Sequence, residues 1–412
     1  MQPPKTGRDG TASGAEGSLG RFSLLAPARL PAIVYSRPGV YSGRQGVRTF
    51  RMLHFLLALA VPSFASAEYP ACPNGITCIA LTPADKPGLT FDCAYVKPKN
   101  ERGQVYHMHG NDGLLSKAMF AETMLQLAAK GFTSLACDQR GYSPKASPDQ
   151  YAAYLYDTLV SDIFSIVDSF GFGSKYGGQF HVVSHDQGAR VAWHAIALGR
   201  GRQRFLSLAS LSIPHADVFS DSLVGPNCDH DQQTASQYVR LLVLPNSTTI
   251  YDDTIFTRLC KSLGFTNPAA CQKVLWWYNG AIDAGSMALA PLMPFGPVAK
   301  SLGVPEGAVK NLTQYPIAGV AQTVRVGRVT ELPVLYACGA LDSADLCKQA
   351  FADESRALIA NFSYTRLGAC GHDILGSECI ERQAVIDGVV SNVLSVYQHD
   401  SPEVAPEGNA GQ

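Results

Sequence analysis

Four short polar segments each close an apolar run, and together they hold the side chains most able to do chemistry. They are "HGND" (His109–Asp112), "DQRGYS" (Asp138–Ser143), "SHDQG" (Ser184–Gly188) and "GHD" (Gly371–Asp373). A fifth, "GALDSAD" (Gly339–Asp345), sets Asp342 just past another such run. The third has the form small–x–nucleophile–x–small between a strand and a helix, which is the pattern of a nucleophile elbow. Small residues at Ser184 and Gly188 let the two backbones approach while the side chain between them is thrust outward. Taking Ser184 as the nucleophile would put Val182 at the first small position, which a tight turn resists. Asp186 fits; the competing reading makes it an ordinary N-cap of the following helix.

An aspartate nucleophile dictates the reaction class. It is ionised near neutral pH, its ordinary pKa being about 3.9, and needs no base to activate it. Attack on a saturated carbon gives an alkyl-enzyme ester, which water can cleave at the enzyme's own carbonyl. A serine attacking the same carbon would leave a stable ether. His372 is then the base for the hydrolytic water, oriented by Asp342. Backbone N–H groups of Asn111 and Gln187 are placed to hold the oxyanion of the second step.

The elements that must position these residues alternate along the chain. "TCIAL", "LTFDCAYVK" and "QVYHMHG" read as strands, then "SKAMFAETMLQLAAKG" as an amphipathic helix closed by Gly131. "FTSLACDQRG" is the next strand. A long helix follows over "DQYAAYLYDTLVSDIFSIVDSFG", with Leu155, Leu159, Ile163, Ile166 and Phe170 on one face. The strand "QFHVVSHD", helix "QGARVAWHAIALG" and strand "FLSLASLSIP" come after it. Residues 215–328 break the rhythm, being helical in places and rich in Pro and aromatics. It resumes with the strand "LPVLYACGALD", a helix over "LCKQAFADESRALIA", the strand "FSYTRLGAC" and a final helix over "CIERQAVIDGVVSNVLSVY". This predicts an α/β fold with a mostly parallel sheet covered on both faces. An insertion between its strands would overhang their carboxyl ends, where open α/β sheets keep their sites.

The boundaries follow: 1–51 disordered or an upstream extension, 52–67 a signal peptide, 68–214 and 329–398 the two parts of the core, 215–328 the cap and 399–412 a disordered tail. Met52 to Ala67 has a short apolar stretch and an Ala65-Ser66-Ala67 cleavage site, preceded by Arg48 and Arg51. The expectation is secretion from a start at Met52, with an Arg-rich organelle transit peptide as the alternative. All 11 cysteines follow the cleavage point, a density that suits an oxidising compartment. The odd count implies at least one free thiol, and disulfides could brace the loops that Cys338 and Cys347, and Cys370 and Cys379, bracket. Three sequons, at Asn246, Asn311 and Asn361, point the same way. There is no C-x-x-C pair to chelate zinc, and no metal or cofactor is expected. A net charge of −1 without a basic stripe gives no footprint for nucleic acid, and no apolar run reaches the roughly 18 residues of a membrane span.

From about Gly75 to Tyr397 the chain resembles the epoxide hydrolase and haloalkane dehalogenase branch of the α/β-hydrolase superfamily. "HGND" looks like that family's H-G-x-P loop, "DQRGYS" its D-x-R-G-x-G/S segment and "SHDQGA" its G-H-D-W-G-A elbow. "SIPHADVF", "DQQTASQYVRLLVLP" and "WWYNGA" look like its cap sequence. The order Asp186, Asp342, His372 matches the superfamily's nucleophile, acid and histidine. The resemblance implies cap tyrosines that protonate the epoxide oxygen. Tyr278 matches one by context, and Tyr238 is a substitute for the other, whose place falls near Leu241. Trp277 would line the pocket or, with Trp276, pack the cap core. His109 and Gly110 would shape the loop beneath the oxyanion hole. His107, His181, His185 and His194 are read as packed or hydrogen-bonded near strand ends.

Departures from the pattern sharpen the expectation. Gln187 stands where the halide-binding Trp usually is, which counts against haloalkane dehalogenation. Fluoroacetate dehalogenases carry two arginines in the elbow; Arg190 matches the second and Gln187 misses the first. Asp112 replaces the loop proline and would disfavour anionic substrates. The implied activity is hydrolysis of a neutral apolar substrate, an epoxide first, with water as co-substrate. The alternatives are a dehalogenase-type hydrolase and a catalytically idle binding or signalling protein.

Overall fold

The computed structural model describes residues 72–110, 116–148, 151–224, 228–236 and 324–397. Eight strands form one sheet in the order β1-β2-β4-β3-β5-β6-β7-β8. They are β1 (Thr77–Leu81), β2 (Phe91–Val96), β3 (Gly103–Met108), β4 (Phe132–Cys137), β5 (Phe180–His185), β6 (Phe205–Leu211), β7 (Val334–Gly339) and β8 (Phe362–Leu367). β1 and β2 run antiparallel at one edge, and every pairing from β4 to β8 is parallel. The central strands β3, β4, β5 and β7 are buried at every position, as their unbroken apolar runs require when helices cover both faces.

Those helices are α1 (Ala121–Ala129), α2 (Tyr156–Phe170), α3 (Gln187–Ala197), α4 (Arg200–Arg204), α5 (Ala216–Val224), α6 (His230–Ala235), α7 (Gln349–Leu358) and α8 (Arg382–Ser395). On one face Ile163, Phe164 and Val167 of α2 join Trp193 and Ile196 of α3 over Phe180 and Phe205. On the other, Met124 and Leu127 of α1 meet Val385, Val389 and Val393 of α8. The Trp193 indole N–H donates to Ser210 Oγ at 3.0 Å, so its burial leaves no polar atom stranded.

Two elements depart from the sequence expectation. The long helix begins at Tyr156, because Leu155 is extended (φ −63°, ψ 149°); a separate 3-10 turn, Tyr151–Tyr154, precedes it. The Tyr154 hydroxyl donates to Pro148 O at 2.9 Å, which holds that turn off the helix axis. The short helix α4 was not expected, since five residues with three arginines carry no apolar period.

Of the insertion at 215–328, α5, α6 and the returning segment from 324 are described. Entry and exit are clasped together. Asp217 accepts the backbone N–H groups of Val326 and Gly327 at 3.0 and 2.9 Å, and Arg325 pairs with Asp221 at 2.5 Å. His215 Nε2 donates to Gly327 O at 3.0 Å. Disulfides join Cys72–Cys78, Cys93–Cys137, Cys338–Cys347 and Cys370–Cys379. Cys228 is the free thiol among the described residues, and Cys260 and Cys271 lie outside them. No described helix is long and apolar enough to cross a membrane.

Candidate active site

The turn between β5 and α3 puts Asp186 at φ 49°, ψ −121°, a conformation that costs a non-glycine residue free energy and must be held by its surroundings. Its own N–H donates to Leu211 O at 3.1 Å, and its carbonyl accepts the N–H groups of Ala189 and Arg190 at 2.9 and 3.1 Å. Gly188 is required here, because a Cβ on it would run into the Met108 and His109 carbonyl oxygens. Gly110 is required opposite, because a Cβ there would meet the Asp186 carboxylate. The turn therefore presents one carboxylate against the end of β3. Ser184 is inside the sheet, its hydroxyl donating to Ala209 O at 3.1 Å, and is not the presented group.

His372 arrives from the loop after β8. Its Nδ1 lies 2.7 Å from Asp342 Oδ2 and its Nε2 3.8 Å from Asp186 Oδ1. Nδ1–H thus donates to Asp342, which directs the basic nitrogen at the elbow. The other Asp342 oxygen accepts the N–H groups of Ala344 and Asp345 at 2.8 and 3.0 Å. The His372 backbone is pinned too, its carbonyl accepting from His185 Nε2 at 2.9 Å and from Ser212 Oγ at 3.0 Å. The end of β7 touches this loop so closely that Gly339 has no room for a Cβ beside the Cys370 and Gly371 carbonyls. Burial alone would make His372 less basic, but the charge and hydrogen bond of Asp342, then Asp186 and Asp345, hold its pKa well above the usual imidazole range.

His109 is hydrogen-bonded to its neighbours on both ring nitrogens. Nδ1–H donates to Gly110 O at 2.7 Å and Nε2 accepts the Gln139 N–H at 2.9 Å, while the Gln139 amide donates to His109 O. The "DQRGYS" segment anchors the same corner. Asp138 takes the Lys117 ammonium at 2.5 Å and the Lys117 N–H at 2.8 Å, and the Arg140 guanidinium forks onto Asp162 at 2.7 and 2.6 Å. Gln187 opens α3, so its backbone N–H stands at the positive end of the helix dipole beside Asp186. Asn111, Asp112, Tyr238, Trp277 and Tyr278 lie outside the described residues.

Of the other histidines, His107 is wholly buried against Phe120, and His181 bonds Ser207 and Tyr397. His194 bonds Asp157 at 2.8 Å. His185 is more than a packed residue: it holds the His372 backbone, and its ring meets the His372 ring edge-on at 4.9 Å. Burial, then the His372 charge, lowers its pKa and keeps it neutral for that task.

Sequence reasoning passed over one acidic group altogether. Asp345 is 1% exposed; its Oδ2 lies 3.8 Å from His372 Nδ1 and its Oδ1 3.5 Å from Arg190. Its signal, an Asp three residues after Asp342 inside the Cys338–Cys347 loop, is too common to single out. By spacing alone, donor atoms of Asp186, Asp345 and His372, within 4.8 Å of one another, could hold a cation. The Arg190 guanidinium already supplies positive charge there and His372 is turned to Asp342, so the group reads as a charge relay. A carboxylate beside an imidazole that a second carboxylate orients has the parts for nucleophilic attack and base-assisted hydrolysis.

No family model matches the chain. Among curated proteins it is similar to the α/β-hydrolase superfamily protein YfhM of Bacillus subtilis, 28% identical over 187 residues, which is 40% of this chain and 61% of that protein. It is also similar to epoxide hydrolase B of Mycobacterium tuberculosis, 29% identical over 206 residues, 46% of this chain and 54% of that one. The matches thus span a little over half the length of these relatives. Among solved structures it resembles one described under novel epoxide hydrolases of the α/β-hydrolase superfamily from metagenomes of hot environments. That likeness has a TM-score of 0.54 at 21% identity and covers 76% of this chain and 98% of the other. The chain has the α/β-hydrolase fold, and its curated relatives include epoxide hydrolases.

Proposed function

We propose that the protein is a hydrolase that opens a small neutral apolar substrate, an epoxide first, through an ester on Asp186. The observation that carries this is the carboxylate at the strained elbow, 3.8 Å from the free nitrogen of an imidazole that Asp342 fixes. In the first step an Asp186 oxygen bonds to an epoxide carbon and the ring C–O bond breaks. A phenol, Tyr278 by resemblance, protonates the alkoxide; its ordinary pKa of about 10 keeps it a donor at neutral pH. In the second step water bonds to the Asp186 carbonyl carbon and His372 Nε2 takes its proton. The ester's acyl C–O bond then breaks, His372 returns the proton to the departing alkoxide, and the proton left on the Asp186 carboxyl passes back to the phenolate, giving a diol, ionised Asp186 and the starting phenol. The first-turn N–H of Gln187 is the oxyanion donor on this reading, with the N–H of Asn111 as the second donor by resemblance.

The relatives named epoxide hydrolase support this reading, and so does the Gln187 side chain where a halide-binding indole would stand. The four disulfides among the described residues support an oxidising, secretory environment. The test is a panel of neutral epoxides and haloalkanes offered to protein made by a secretory route. Diol formation that vanishes in Asp186→Ala, with an adduct on the Asp186 peptide in His372→Gln, is the expected result. Turnover surviving Asp186→Ala would sink the mechanism. Halide release without diol formation would move the assignment to a dehalogenase.

A further inference from the structure

Asp345 poses a physical problem that the triad does not solve. It is almost fully buried, and neither carboxylate oxygen has a hydrogen-bond partner. A buried carboxylate in that state is costly unless charges around it compensate. The loop that carries it is nevertheless built with care. The Cys338–Cys347 disulfide closes it. The Gln232 side chain of α6 spans it, donating to Ala344 O and accepting the Leu346 N–H, each at 2.8 Å. Lys348 ties its end to Asp229 and Asp231 at 2.7 and 2.8 Å. A loop held at both sides keeps Asp345 where it is.

We propose that Asp345 is a second acid of the relay, a positioning residue that shares the His372 imidazolium with Asp342 and tethers Arg190 as the counter-cation of the site. This rests on the ester mechanism above. Among the described residues, the charged or titratable groups that act on Asp345 are Arg190 from α3, Asp186 from the elbow, His372 from the loop after β8, Asp342 from its own loop and the Tyr336 phenol from β7. Arg190 is itself buried, its guanidinium 4.7 Å over the Phe219 ring, which fixes it against Asp345.

The charges balance at one moment of the cycle. In the resting site three carboxyl groups face one guanidinium and one imidazole ring, and ionisation of all three would exceed the positive charge even with the ring protonated. Burial, reinforced by Asp186 and Asp342 and opposed by Arg190 and His372, pushes the Asp345 pKa up to about 7. Alkylation turns Asp186 into a neutral ester and removes one of those repulsions. When His372 then takes a proton from water, Arg190 and the imidazolium are matched by Asp342 and Asp345. Asp345 gives and takes no proton in that step; the single proton moves from water to Nε2.

Two measurements test this. Imidazole titration by ¹H–¹⁵N NMR, on the resting protein without substrate, compares wild type with Asp345→Asn. The protonation midpoint of His372 is expected to fall by at least about one pH unit, and an unchanged midpoint overturns the proposal. Asp345→Ala serves as the second variant should the amide not fold, with a shift of the same sign. Rapid quenching after mixing with styrene oxide then follows the adduct. At a pH above the wild-type His372 midpoint, where the ring is neutral in both proteins, Asp345→Asn should slow adduct decay at least about tenfold and more than it slows adduct formation; decay at the wild-type rate overturns the proposal. Absence of any adduct in His372→Gln would sink the ester reading, and the NMR midpoint still decides the Asp345 claim by itself.

Discussion

Asp186 holds a backbone conformation that most residues avoid, and the surrounding contacts say why it must. The presented carboxylate and the oriented imidazole assign separate roles, so single substitutions should separate them. Asp342→Asn keeps the shape of the site and removes the charge that fixes the Nδ1–H tautomer. It should lower turnover by about 10³- to 10⁴-fold, read from steady-state diol formation. The pH profile follows from the raised basicity of His372. Only the neutral ring accepts a proton from water, so the hydrolytic rate should rise with pH through a midpoint above the ordinary 6.5. In Asp342→Asn that midpoint should move down. Asp186, His372 and Asp342 were legible because the elbow spacing and strand-end positions are written in the sequence. Asp345 was not, because its importance lies in burial and in the 3.5 and 3.8 Å separations, which no spacing encodes.

At the scale of elements, the site is made by close backbone approach. β3 and the first turn of α3 meet at Gly188, and the neighbours there are carbonyl oxygens that cannot swing aside. Gly188→Ala should therefore destabilise the protein by about 1–3 kcal/mol, seen as a lower urea midpoint with an unchanged slope. The strand and helix order was legible from periodicity; the cysteine pairing, which the sequence left open, joins Cys338 to Cys347 and Cys370 to Cys379. The start of α2 was not, because the apolar spacing continues through Leu155 although its backbone is extended. α6 was hidden for another reason: Gln232 matters through two hydrogen bonds to a loop more than a hundred residues away.

At the scale of the whole molecule, the parallel sheet buries histidines that cannot charge in place. Burial alone drops the pKa of both His107 and His181 to about 3. The unfolded chain binds these protons near 6.5 and the folded one only near 3. Their contribution to stability is thus complete above about pH 6.5 and lost as pH falls towards 3. Melting temperature should decline across that window, and His107→Leu should make the decline shallower; an identical slope would show that His107 has access to water. The strand order was beyond the sequence, since alternation of strand and helix does not say which strands are neighbours. The sheet fixes it by pairing β3 with both β4 and β5, which brings His109 and Asp186 together.

The central claim is that the oxygen added to substrate comes first from Asp186 and not from water. A single turnover of an epoxide with enzyme in excess, in ¹⁸O-water, tests it directly by mass spectrometry of both product and Asp186 peptide. The account predicts an unlabelled diol and a heavy oxygen in the Asp186 carboxylate. A labelled diol with an unlabelled Asp186 peptide would contradict it.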